Sequence, residues 1–421
     1  MSIEATSRVT AAARAIAPHI RRTPTEHSPA LSTLAGCELY LKLENLQRTG
    51  AFKIRGALNK LLAMEPRVRA RGVVTASAGN HGQGVALAAK LLGAPACVVL
   101  PGGVPLAKLT AVQRHGAEIV VTGEDYDAAH RAALDLARER GLAYVPAFDD
   151  DDVIAGQGTL ALEMLEDAPD LDALVVPVGG GGLISGVGLA VRERGSRPRL
   201  VGVQAEGSPA FARSFAAGRV IEDGNGTIAD GIAVRRPAER TLAIARETVD
   251  DVRTVDDEAI ARAIVLLLER HKLLAEGAGA AALAAVLERP GAFGARVGVV
   301  ISGGNIDPNL LGKVLQQGLA SAGRYLAFRT WLDDKPGMLH ELTGILTREH
   351  INILHVGIHR LGPYTALGRV GLDVIVDTRD RAHAEHVLAL IRRHGFPAEE
   401  ILETAPHDQP GIAPGGGTAS K

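Results

Sequence analysis

At 421 residues, 46% of them hydrophobic, the chain is long enough to bury a large core and to fold as more than one unit. A formal net charge of -2 with an isoelectric point near 6.7 excludes the basic footprint of a nucleic-acid or anionic-membrane binder, which leaves small molecules and further copies of the chain as the expected partners. Aromatic residues make up only 3%, so burial must rest on Ala, Val, Leu and Ile, a composition suited to parallel sheets covered by Ala-rich helices.

The N-terminal stretch 7–20 is Ala-rich and amphipathic but broken by Arg8, Arg14 and Pro18, without the continuous apolar region of a signal peptide. No apolar window reaches the roughly 18 residues of a membrane span. Cys37 and Cys97 are the only cysteines, and Cys97 lies in the apolar run 96–100. That pattern reads as a buried thiol in a reducing compartment, so the cytoplasm is the expected location.

From 39 to 318 short β-branched runs alternate with longer helical ones. Strands are expected over 39–43, 73–76, 96–100, 118–122, 174–178, 200–205 and 297–301, and helices over 83–92, 105–114, 126–140, 183–194 and 309–319. The alternation argues for α/β architecture built of βαβ units, and its length for two open parallel-sheet subdomains with a cleft between them, the smaller spanning about 42–146. From 324 the rhythm becomes βαββαβ: strands over 325–332, 351–359, 368–376 and 398–402, helices over 338–349 and 381–394, and a turn at Asp334-Lys335-Pro336-Gly337. This order is a ferredoxin-like unit. The expected organisation is therefore a first domain over 1–322, a second over 323–405, and a disordered Pro/Gly-rich tail over 406–421.

Chemistry concentrates at four strand-to-helix corners. The strand 39–43 stops at the polar stretch 45–56, and a helical pattern (Ile54, Leu58, Leu61, Leu62) begins just after it, which places Lys53 at the mouth of a helix. A solvated first-turn lysine would fit that stretch equally well. Similar corners occur at 75–82, 177–183 and 302–305, and parallel α/β sheets bring such corners to one edge. Gly179, Gly180, Gly181 and Gly182 leave backbone N–H groups uncovered at a helix N-terminus, the arrangement that holds a phosphate, although a tight turn would also account for them. The loop Ser77-Ala78-Gly79-Asn80 offers hydroxyl, amide and N–H donors to a carboxylate.

A dinucleotide reading of the glycines is weaker. Gly180, Gly182 and Ser185 imitate G-x-G-x-x-G with Glu206 ending the next strand, but the third position is Ser. No Gly-Lys-Ser/Thr follows to make a P-loop. His81, His115, His271 and His355 lack Cys/His partners at ligand spacing, and no metal is expected.

In chain order, Gln47-Arg48-Thr49-Gly50-Ala51-Phe52-Lys53-Ile54-Arg55-Gly56-Ala57, Ser77-Ala78-Gly79-Asn80-His81-Gly82-Gln83-Gly84, Gly156-Gln157-Gly158-Thr159, the four glycines and Ser302-Gly303-Gly304-Asn305 together resemble the serine/threonine dehydratase family. Its members are fold-type II, tryptophan synthase beta-like enzymes that use pyridoxal phosphate, and the resemblance runs over about 14–319. The segment 324–402, with Asp334-Lys335-Pro336-Gly337-Met338-Leu339, resembles an ACT regulatory domain. The combination is similar to the medium-length threonine ammonia-lyases within that family.

The resemblance implies roles. Lys53 would hold pyridoxal phosphate as a Schiff base, Phe52 and Gly231 would flank its ring, and Asn80 would bond the ring hydroxyl. Gly179, Gly180, Gly181, Gly182 and Leu183 would bind the phosphate, and Ser302 would face the ring nitrogen. Ser77, Ala78, Asn80 and His81 would surround the substrate carboxylate. Once displaced, Lys53 would be the base at Cα–H, with the cofactor as electron sink. A serine at the ring nitrogen does not hold the pyridine protonated and so favours prompt loss of a β-hydroxyl. The implied reaction is L-threonine to 2-oxobutyrate and ammonia, with L-serine to pyruvate as a side activity.

Ala78 stands where serine racemases carry a second serine, and Phe148-Asp149-Asp150 resembles the dehydratase form of its loop. Glu206 matches a cation-binding glutamate of the racemases, but Ala212 replaces their aspartate. Glu276 is readable as a helix cap or as a residue beside the cofactor. In the C-terminal unit, Gly337, Met338, Leu339 and Asn352 are the candidates for binding an amino-acid effector, isoleucine first, between paired copies, which implies a homo-oligomer, dimer or tetramer. A related lyase or racemase acting on serine or hydroxyaspartate, and a catalytically silent amino-acid sensor, remain open.

Overall fold

The computed structural model describes residues 4–195, 198–224, 226–359 and 367–401; the expected tail over 406–421 lies outside them. The chain divides into two compact units at Leu315. No helix among the described residues is long and apolar enough to cross a membrane. Cys37 and Cys97 are both free, and Cys97 is buried.

Among the described residues the first unit carries ten strands: β1 (Thr25–His27), β2 (Glu38–Leu43), β3 (Val73–Ala76), β4 (Ala96–Leu100), β5 (Glu118–Val121), β6 (Ala143–Tyr144), β7 (Ala173–Pro177), β8 (Arg199–Ala205), β9 (Asp251–Val255) and β10 (Arg296–Ile301). They form a six-stranded sheet of order β1-β2-β10-β7-β8-β9 and a four-stranded sheet of order β5-β4-β3-β6. Every pair is parallel except β1 with β2. This is the architecture expected from the alternation of strand and helix patterns. Strands β3 and β7 are buried along their whole length, which is why they read as unbroken apolar runs.

Small residues build the core, as the low aromatic content requires. The helix Gly277–Glu288 buries eight of its alanines and aliphatics in a row, from Ala278 to Val286 apart from Gly279, and packs with Val175, Val203 and Val299 on one face of the larger sheet. Helices Asp151–Asp167 and Gly182–Arg194 cover the other face. They approach so closely that a Cβ on Gly158 would lie 2.3 Å from the Gly186 carbonyl oxygen.

The second unit holds β11 (Tyr325–Asp333), helix Met338–Arg348, β12 (Ile353–His359), β13 (Arg369–Asp377), helix Arg381–Arg393 and β14 (Ala398–Glu400). Its antiparallel sheet has the order β12-β13-β11-β14, and both helices supply its core through Leu342, Ile345, Val387 and Ile391. The βαββαβ order is as expected.

Candidate active site

Strand β2 ends in a 3-10 turn, Glu44–Leu46, and the chain then runs beside the loop that follows β10. Ala51 bridges Gly303, Phe52 N donates to Ser302 O at 3.1 Å, and Gly304 N donates to Gly50 O at 2.9 Å. Gly50 is left-handed (φ 72), and a Cβ there would lie 2.5 Å from Asn305 Oδ1, so only glycine lets this corner close. Lys53, the first residue of helix Lys53–Ala63, is thereby fixed at the carboxyl edge of the larger sheet. Its Nζ donates to Ala147 O at 3.0 Å, in the loop after β6 of the smaller sheet. Burial pulls the Lys53 amine down to about 8, with the Glu276 carboxylate opposing part of that shift.

The loop Ser77-Ala78-Gly79-Asn80 lies at the end of β3. Ser77, Ala78, Gly79 and Asn80 are partly exposed at the start of helix Asn80–Leu91, where unpaired N–H groups and the helix dipole favour an anion. Asn80 is held from both ends: its Nδ2 donates to Glu276 Oε1 at 2.6 Å, and its Oδ1 accepts from Asn305 Nδ2 at 2.7 Å. Glu276 is buried and its carboxyl is pushed up to about 7, first by burial and then by Asp230. His81 is buried, and its Nε2 lies 3.0 Å from Val145 O. Burial, reinforced by Lys53, lowers it to about 3, so the ring is neutral and Nε2 must carry the proton that reaches Val145. Of the four residues expected around a carboxylate, His81 is thus turned toward the end of β6.

The glycine loop follows β7 and opens helix Gly182–Arg194. A Cβ on Gly180 would lie 2.6 Å from the Phe148 ring, and one on Gly181 would lie 2.3 Å from Phe211. Thr241 Oγ1 donates to Gly180 O at 2.7 Å. Gly179 approaches the turn Asp230–Ile232, its Cβ position being 3.2 Å from Ile232 Cα, and this brings Gly231 beside the loop. Because Phe148 follows the Ala147 carbonyl that meets Lys53, one segment links the lysine and the glycines. Ser302 is 3% exposed, with Oγ 3.4 Å from Ala278 O. A depressed buried amine, a side-chain-free N–H cradle and a buried neutral hydroxyl fit the aldehyde, phosphate and ring nitrogen of pyridoxal phosphate.

A buried ion cluster beneath this corner was not legible in the sequence. Arg55 donates to Glu44 at 2.8 and 2.9 Å and to Glu163 at 2.8 Å, and Lys42 Nζ donates to Glu163 Oε2 at 2.7 Å. Lys42, Glu44 and Arg55 have no exposed surface. Two cations balance two carboxylates, and Thr23 Oγ1 adds a hydrogen bond to Glu44. The cluster ties β2 and the Lys53 helix to helix Asp151–Asp167.

Glu206, at the end of β8, lines a different cavity of about 610 Å³ with Ala212, Arg213, Arg253 and Glu288. Among the described residues no group of three or more His, Cys, Asp or Glu side chains is arranged to hold a metal. In the second unit, Gly337 (φ 96) caps helix Met338–Arg348 after β11, Leu339 is 40% exposed, and Met338 packs partly against the core. Asn352 precedes β12 and donates to Asp377 Oδ2 at 3.0 Å. Because Asp333 pairs with Arg369 and Ile353 with Val376, Gly337, Met338 and Leu339 sit at the opposite end of the sheet from Asn352 within one chain.

Residues 16–303 match the pyridoxal-phosphate dependent enzyme family and residues 328–396 the ACT domain. An L-threonine ammonia-lyase from Thermotoga maritima is 43% identical over 378 residues, covering 90% of this chain and 94% of the relative. The solved structure of the processed form of threonine deaminase isoform 2 from Solanum lycopersicum is 34% identical with a TM-score of 0.72, covering 75% of this chain and 94% of that one. Maize serine racemase is 36% identical with a TM-score of 0.70, covering 75% and 98%. With its lysine, glycine cradle and buried serine assembled at one edge, the chain belongs to the pyridoxal-phosphate dependent enzyme family and carries a C-terminal ACT domain.

Proposed function

We propose that the chain is a threonine ammonia-lyase, converting L-threonine to 2-oxobutyrate and ammonia, with L-serine to pyruvate as a side activity. The observation that carries this reading is Lys53, an amine lowered to about 8 by burial and anchored to the same segment as the glycine cradle. When bound, pyridoxal phosphate supplies the electron sink that makes a Cα–H bond acidic enough to ionise. The Lys53 amine, roughly half neutral near pH 8, takes that proton on Nζ. The Ser77 hydroxyl and the N–H groups opening helix Asn80–Leu91 hold the substrate carboxylate and so orient the Cα–H bond toward the lysine. The N–H groups of Gly179, Gly180, Gly181, Gly182 and Leu183 would hold the phosphate, and Phe52 and Gly231 would flank the ring. Asn80 would take the ring hydroxyl, and Ser302 would meet the ring nitrogen without charging it.

The β-hydroxyl leaves as water and one water is later taken up, so the balance is threonine to 2-oxobutyrate plus ammonia. Ala78 offers no second hydroxyl to return a proton to Cα, which favours elimination over racemisation. Purified protein should show the visible absorbance of bound cofactor, bleached by borohydride. Lys53→Ala should lose both that band and 2-oxobutyrate formation. A colourless protein that takes up no pyridoxal phosphate would rule the reading out. We further propose that the ACT domain binds an amino-acid effector, isoleucine first, between paired copies, through Gly337, Met338 and Leu339 of one and Asn352 of the other.

A further inference from the structure

An ion pair joins the smaller subdomain to the larger beside the Ser77–Asn80 loop. Lys108 lies on helix Leu106–Gln113, which follows β4 of the smaller sheet; Asp230 opens the turn Asp230–Ile232 of the larger subdomain. Lys108 Nζ is 2.5 Å from Asp230 Oδ2, with the side chains 28% and 58% exposed. The Asp230 side is tied to its neighbours. Ile232 is buried, Ile228 N donates to Asp257 Oδ2 at 3.0 Å, and the Thr227 hydroxyl bonds Asp257 as well. A Cβ on the next residue, Gly231, would lie 3.7 Å from Glu276 Oε1, the atom that holds Asn80 of the carboxylate loop. The Lys108 side is looser. Its helix has eight residues, follows the exposed Gly102 and Gly103, and opens on Leu106 at 76% exposure. The pair therefore joins a lightly packed helix of one subdomain to a fixed turn of the other, beside the loop where the substrate carboxylate is proposed to bind.

We infer that Lys108 and Asp230 form a latch that holds the smaller subdomain closed over the amino-acid substrate, making them positioning residues that act on substrate retention. Neither bonds Lys53, Ser302 or the glycine loop in the structure. Breaking the pair changes how long the cleft stays closed; both charges also act on the Glu276 carboxyl, Asp230 raising it and Lys108 lowering it, so KM and kcat are compared above the pH limb, where Lys53 is neutral. A partly exposed pair of this kind shifts such an equilibrium by roughly two- to fivefold, and salt screens it. The inference rests on the threonine-lyase reading, and the two fail differently. Wild-type protein that makes no 2-oxobutyrate from threonine defeats the activity, whereas the latch is judged by how variants differ from an active wild type.

The test compares holoenzymes of the wild type, Lys108→Met, Asp230→Asn and the charge-reversed Lys108→Asp/Asp230→Lys protein. Expected are a two- to fivefold rise in KM for threonine in each single variant with kcat within about twofold, loss of the wild-type rise of KM with sodium chloride, and at least partial recovery in the reversed pair. Melting temperatures should stay close to wild type, since exposed pairs add little stability. A second readout does not depend on turnover: threonine should slow hydrogen exchange of the amides of 106–113 in the wild type and less so in Lys108→Met. Unchanged KM and salt dependence in the single variants, or equal protection of 106–113 in wild type and Lys108→Met, overturns the latch.

Discussion

Glu276 acts on the charge of Lys53. Burial lowers the lysine to about 8, and the glutamate is the one charge opposing it, while burial raises Glu276 itself to about 7. A base must be neutral to accept a proton, so kcat should rise with pH to an apparent pKa near 8. Replacing the carboxylate by an amide removes the charge that favours the ammonium, so in Glu276→Gln the limb should move to lower pH. The amide oxygen can still accept from Asn80 Nδ2, and this separates charge from position. A limb that stays in place or moves to higher pH would show that Glu276 does not govern the lysine. The linkage sign for stability is opposite for the two groups. Glu276 binds its proton more tightly folded than unfolded, so its contribution to stability falls as pH rises from about 4.5 through about 7. Lys53 releases its proton more readily when folded, so its contribution rises from about 8 toward 10.5.

The elements around the lysine were legible in unequal measure. Strands β3, β4 and β10 announce themselves as apolar runs closed by serine or proline. By contrast β1 is three residues of polar chain, β6 has two residues, and β9 (Asp251-Val-Arg-Thr-Val255) lies at a sheet edge with charged residues among its apolar ones. Their strand character comes from a neighbour already in place, which local pattern does not carry. The cluster of Lys42, Glu44, Arg55 and Glu163 was hidden for the same reason. Each charge reads locally as a solvated side chain, and only the pairing of residues 108 apart in sequence (Arg55 with Glu163) makes it internal. Arg55→Met should strand Glu44 as a buried carboxylate without its partner, at a cost of roughly 3–5 kcal/mol. Thermal or urea unfolding would measure it, and a variant within about 0.5 kcal/mol of wild type would show the cluster to be energetically neutral. Glu44 is held below its ordinary 4.5 chiefly by Arg55, against the desolvation that pushes it up. The stability it adds is present above that value and lost as pH falls through the lower folded one.

At the scale of the whole molecule, the proposed effector site makes a demand on assembly. Gly337, Met338 and Leu339 follow the carboxyl end of β11, Asn352 precedes the amino end of β12, and the nine-residue β13 pairs with both strands in opposite directions. At about 3.3 Å per residue the two groups are separated by nearly the length of the sheet, so a ligand touching both requires two chains. Strand β12 is an edge strand that exposes Leu354 at 46% and Ile358 at 51%, an unguarded edge of the kind that pairs with another copy. Isoleucine should therefore bind the oligomer and change threonine kinetics. Because coupling is reciprocal, threonine or an unreactive analogue must change isoleucine affinity by the same factor. Ile358→Lys, which places a charge on that edge, should weaken pairing of the ACT domains, reduce the isoleucine response and leave threonine turnover without effector near wild type. Sedimentation and isoleucine titration of the two proteins decide it. If isoleucine and valine alter neither kinetics nor melting temperature in the wild type, the ACT domain is not a receptor for these amino acids. If Ile358→Lys separates the copies yet responds undiminished, the effector binds within one chain and the two ends of the sheet are not joined.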